Sequence, residues 1–145
     1  MKLRSLFVPL IATIISITTP QLAMAERSPA PKDAKVYFIN VNEGDVITGP
    51  VHIKFGLSGM GIAPAGTKVK NTGHFHLIIN DKIEGPELEN GIPSDENHIH
   101  FGGGQTETTL NLKPGTYKLQ LILGDYKHTP HSPPVMSKQI TITVK

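Results

Sequence analysis

Apolar side chains recur at every second position in short runs broken by glycine and proline, and this period of two restricts the fold more than any other feature. In VHIKFGL, Val51, Ile53, Phe55 and Leu57 share one face, with His52 and Lys54 on the other. TETTLNL sets Leu110 and Leu112 together, and YKLQLIL aligns Tyr117, Leu119, Leu121 and Leu123. QITITVK turns Ile140, Ile142 and Val144 inward and Thr141 and Thr143 outward. Successive side chains of a strand point to opposite faces, so each run reads as a strand with one buried face. Turn signals fall between them: NEGD at 42 to 45, GGG at 102 to 104 and KPGT at 113 to 116. No ten-residue stretch after the first 25 residues carries a helical stripe. Short strands without helices predict an all-β fold, an antiparallel immunoglobulin-like β-sandwich of seven or eight strands. The disulfide and tryptophan of antibody domains are missing, since the chain has no Cys and no Trp.

The first residues, MKLRSLFVPLIATIISITTPQLAMAE, place Lys2 and Arg4 before an apolar run and end it at Ala23-Met24-Ala25. That order predicts a secretory signal peptide over 1–25, cleaved near Ala25, and a periplasmic or secreted product. Pro9, Pro20 and several threonines leave the run short of the ~20 apolar residues a spanning helix needs, so no membrane span is expected. Residues 26–34, ERSPAPKDA, read as a flexible leader, and 35–145 as a single β-sandwich domain. Loss of Lys2 and Arg4 lowers the basic count from 14 to 12, against 12 acidic residues. A neutral domain without a basic run has no electrostatic footprint for nucleic acid. The absence of cysteine also removes thiolate from every metal or nucleophile scheme.

Six of the seven histidines fall in three clusters: His74 and His76 in GHFH, His98 and His100 in HIHF, and His128 and His131 in KHTPH. In a strand, His74 and His76 point one way while Phe75, Leu77 and Ile79 point the other. HIHF repeats the pattern, with His98 and His100 opposite Ile99 and Phe101. Since the apolar set takes the core, the four imidazoles occupy the second face. They are then either a solvated surface or a site. If the two strands are neighbours, same-face positions about 6.6 Å apart along a strand and about 4.8 Å apart across it let four rings converge on one ion.

All-imidazole ligation suits copper or zinc, copper first by affinity, and the missing thiolate excludes a blue-copper centre. His128 is a candidate fifth ligand. His128 and His131 either close over the site or stand in solvent, and His52 is read as surface. Met60 and Met136 lie in Gly- and Pro-rich loops, where capping the core is the simpler role. The expected metal set is His74, His76, His98, His100 and His128, with binding lost as pH falls through about 6.5.

Other chemistry is thin. Loop 80–97 carries six acidic residues without calcium-loop spacing. Asp125 either supports His128 or stabilises its own turn. No nucleophile elbow or phosphate loop is present, so an enzyme is not favoured. Two further readings remain: a sandwich whose imidazole face binds a non-metal ligand or an envelope protein partner, and, with less support, a metalloenzyme.

GIAPAGTKVKNTGHFHLIIN, HIHFGGGQTETTLNLKPGTYKLQLILGD and PPVMSKQITITV together resemble domain-of-unknown-function family 4399, found in exported bacterial proteins. The resemblance runs from about Gly59 to Val144 and is most specific in HIHFGGGQTE. Matching positions include Gly73, His74, His76, His98, His100, Gly102, Asp125 and His128. The family often shows three consecutive histidines where this chain has His74-Phe75-His76, and often a histidine near Tyr117. The resemblance implies that the strand histidines belong to a wider pattern, and it carries no activity with it.

Overall fold

A computed structural model describes residues 26–145; the expected signal peptide lies outside the described residues. Nine strands follow in chain order: β1 Lys35–Phe38, β2 Val46–Ile47, β3 Val51–Ser58, β4 Gly61–Ile62, β5 Thr72–Ile79, β6 His98–His100, β7 Glu107–Leu110, β8 Gly115–Gly124 and β9 Ile140–Val144. One 3-10 turn, Gly85–Glu89, is the only helical element among the described residues. The fold is therefore all-β.

Two sheets result. A smaller one runs β1-β3-β7, and a larger one runs β2-β9-β8-β5-β4 with β6 also on β5. The larger sheet is mixed: β2 lies parallel to β9 and β4 parallel to β5, while β5–β8, β8–β9 and β5–β6 are antiparallel. The two parallel partners are two-residue strands with no alternation of their own, so the period-two pattern predicts the long antiparallel pairs and misses these.

Alternation places the main core between the sheets. Val51, Ile53 and Phe55 of β3 meet Phe75, Leu77 and Ile79 of β5, Leu119, Leu121 and Leu123 of β8, and Ile142 and Val144 of β9. Phe55 bridges the layers, its ring 5.1 Å from that of Phe75 and 4.8 Å from that of Phe101. Each large apolar side chain buried there contributes about 1.5–3 kcal/mol. Met60 packs against this core.

The other face of β5 and β8 is not solvated. Residues 73–79 and 119–124 are buried on both faces. Ile78 and Ile122 form a second apolar cluster with Ile83 and Ile92 from loop 80–97, and Leu88 and Met136 pack against it. The two long loops thus roof the sheet, and the histidines lie under that roof.

Residues 26–34 differ from the flexible leader expected of them. Ser28 O accepts from Ser132 N at 2.9 Å, and Ala30 N donates to Ser132 O at 3.0 Å. The Arg27 guanidinium donates to Pro130 O at 3.0 Å and to His131 O, and pairs with Glu89 at 2.8 Å. Backbone groups of a polar segment have found protein partners in the 130–132 stretch, a long-range pairing invisible to local composition.

Candidate metal centre

β5 and β6 are neighbours, as a shared site requires, and the register decides which histidines meet. His76 stands opposite His100, Leu77 opposite Ile99, and Ile78 opposite His98. The same register continued by two residues would set Gly102, not a histidine, opposite His74. One His-x-His is thus offset by two residues from the other, and His98 falls past the end of the site. The fourth corner is filled from elsewhere in the chain, by His128.

The four rings form a compact group. His74 and His76 Nε2 are 3.0 Å apart, and His100 and His128 Nε2 are 3.1 Å apart. Ring centroids lie 4.9 Å apart for His74–His76, 5.0 Å for His74–His100, 4.9 Å for His74–His128, 5.0 Å for His76–His100 and 4.6 Å for His100–His128. The sixth pair, His76–His128, is 6.1 Å. Five similar edges and one longer edge describe a distorted tetrahedron. Four imidazoles on one tetrahedral ion, with metal–nitrogen bonds of 2.0–2.1 Å, would set their centroids roughly 5 Å apart. His74, His76 and His100 alone satisfy the spacing needed to hold a metal ion.

Glycines make room for the rings. A Cβ on Gly124, opposite His74 on β8, would lie 2.8 Å from His76 Nε2. One on Gly102 would strike the His100 ring, and one on Gly73 would come within 2.9 Å of His131 Cε1. His128 has φ +66°, a left-handed backbone unusual for a non-glycine residue. It is held there by its own N–H on Asp125 O at 2.9 Å and by Ile92 N on its carbonyl at 2.6 Å.

His74 and His76 have no exposed surface. Burial, then the neighbouring imidazoles, lowers the His74 pKa to about 4 and that of His76 to about 2. His100 is also lowered, first by burial and then by His128. The deep rings are therefore neutral at pH 7, the form that ligates metal. The Nδ1 atoms of His74 and His76 have no hydrogen-bond partner among the described residues. A neutral His74–His76 pair donates one N–H to the other ring and places the second proton on a buried, unpartnered Nδ1. An unsatisfied buried donor costs about 1–3 kcal/mol. The quartet is costly as a purely structural cluster.

The remaining candidates sit apart. His98 Nδ1 is 2.8 Å from Asp95 Oδ1, and its Nε2 is 3.5 Å from Asp81 Oδ2. His131 is buried, its Nε2 3.1 Å from Thr72 O and its Nδ1 3.3 Å from Leu123 O. His52 is exposed and bonds Thr109 Oγ1 at 3.0 Å. Asp125 serves its turn, its Oδ1 accepting from Lys127 N and Thr129 N and its Oδ2 from Ser28 Oγ. Its carboxyl is held below the usual range by those donors, against burial, which acts the other way. Met136 packs in the second apolar cluster. Arg27 and Ser28 were not legible as contributors to the site. Gly124 carries a readable signal, a glycine ending an otherwise apolar strand beside Asp125.

Fold and site define an all-β, two-sheet domain with a histidine quartet sunk beneath its loops. The chain belongs to the family described as Domain of unknown function (DUF4399), which it matches over residues 53–145. No curated protein and no solved structure matches it.

Proposed function

We propose that this protein is a periplasmic or secreted metal-binding module that holds one transition-metal ion, copper before zinc, on His74, His76, His100 and His128. The observation that carries this reading is the convergence of four imidazoles in a distorted tetrahedron, two of them fully buried and unprotonated at neutral pH. All-nitrogen ligation disfavours calcium and magnesium, which take oxygen ligands, and suits copper and zinc. With every corner taken by protein, the role is holding, delivery or protection rather than catalysis. With His74 and His76 fully buried, half of the quartet is out of reach of a partner-binding imidazole face. The strand arrangement is read as an immunoglobulin-like sandwich with two short parallel additions.

The test is titration of metal-free protein (residues 26–145) with Zn(II), following histidine ring resonances, and with Cu(II) by calorimetry. One equivalent is expected to shift His74, His76, His100 and His128 together. His76→Ala is expected to weaken binding beyond the 10–100-fold typical of losing a ligand's supporting partner. Stoichiometric, undiminished binding by His76→Ala would overturn the assignment.

A further inference from the structure

His98, displaced from the quartet by the register of β6, has surroundings of its own. Its residue is 7% exposed, and its ring borders a cleft of about 210 Å³ lined also by Asp81, Glu87 and Asn90. Asp95 Oδ1 at 2.8 Å takes the Nδ1 hydrogen. This contact holds the Asp95 carboxyl below the usual carboxylate range. In the neutral ring the lone pair is then on Nε2, which has no hydrogen-bond partner. Asp81 Oδ2 is 3.5 Å from it, too far for a good hydrogen bond but a normal separation for two donors on one ion. A carboxylate that fixes the tautomer of a histidine whose other nitrogen faces a second carboxylate is the arrangement found around protein-bound zinc.

We propose that His98 Nε2 and the Asp81 carboxylate form a second, outer site for a divalent transition-metal cation, with Asp95 as the positioning residue. Two protein donors, one of them a half-exposed carboxylate, make a weak and readily exchanging site completed by water. Imidazole with carboxylate selects Zn(II) or Cu(II) over calcium. Loop 80–97, with its six acidic residues, raises the local concentration of cations around the cleft. His98 and His100 are two residues apart on β6, a spacing of about 6.6 Å. The outer site therefore stands two residues along β6 from the quartet.

The experiment is a Zn(II) titration of the 26–145 chain past one equivalent, reading the His98 ring resonances. It is repeated on His98→Gln, Asp81→Asn, Asp95→Asn and His76→Ala. The expected result is a second, weaker binding class that moves His98, is lost in His98→Gln, and weakens at least about tenfold in Asp81→Asn. Asp95→Asn is expected to weaken it while leaving its stoichiometry intact, and His76→Ala to retain it. An unmoved His98 at about 1 mM free Zn(II), or equal binding by Asp81→Asn, would overturn the proposal. Failure of the quartet reads out separately, as loss of the first, tight class with the His98 response preserved.

Discussion

Acidification of the metal-free protein should destabilise it well above the pH at which carboxylates titrate. In the folded chain, His74 and His76 are held at about 4 and about 2, whereas the unfolded chain titrates each at about 6.5. Between these limits the unfolded state binds more protons, and stability rises with pH wherever that is so. The contribution is therefore fully present above about pH 6.5 and is lost as pH falls toward the folded values. Each ring gives a slope of about 1.4 kcal/mol per pH unit, so the pair gives about 2.7. Two units of acidification, to about pH 4.5, remove at most about 5 kcal/mol, which rivals the whole stability of a small domain. Urea unfolding in the presence of a chelator, at intervals between about pH 7 and about pH 4.5, measures this directly. His76→Leu should roughly halve the slope. A stability that changes by less than about 1 kcal/mol over that interval would refute the reasoning, because it would mean the folded rings accept protons as freely as unfolded ones.

Further outcomes follow from the same geometry. Burial lowers the pKa values of His74, His76 and His100, so protons compete less well for these rings and zinc should stay bound below pH 6.5; complete release at pH 6.5 would show unperturbed imidazoles. Gly124→Ala pushes a methyl within 2.8 Å of His76 Nε2 and should cost about 1–3 kcal/mol in unfolding and weaken zinc at least tenfold by calorimetry. Phe55→Ala, which empties the space between the two sheets, should cost about 3–5 kcal/mol by urea unfolding while leaving zinc stoichiometry unchanged. Ser28→Ala removes the hydroxyl on the buried Asp125 carboxylate and should cost about 1–3 kcal/mol, with faster hydrogen exchange at Lys127 and Thr129 N–H.

The long strands and the facing of their histidines were legible because both depend on parity alone. VHIKFGL and YKLQLIL announced β3 and β8, and the core took the residues their alternation assigned. Two-residue strands such as Val46–Ile47 are too short to carry a period. His98 was misplaced for a different reason. Parity sets the face of a residue but not the register between strands, and a slip of two leaves the face unchanged while moving the partner of His98 from His76 to Ile78. His128 was readable as a candidate ligand but its corner of the quartet was not, because a loop residue's destination depends on contacts distant in sequence, here with Ile92. Composition likewise made residues 26–34 look free, when Arg27 and Ser28 find their partners a hundred positions later.

The anchoring of His128 bears on time as well as geometry. Its carbonyl and its neighbours at 130–132 are bonded to other segments, and its N–H closes a turn on Asp125, so the backbone that carries the ring is fixed in place. An ion held on the quartet would keep the full set of ligands only while that backbone stays closed, so its residence time would follow the chain's own breathing as well as the strength of its bonds to nitrogen.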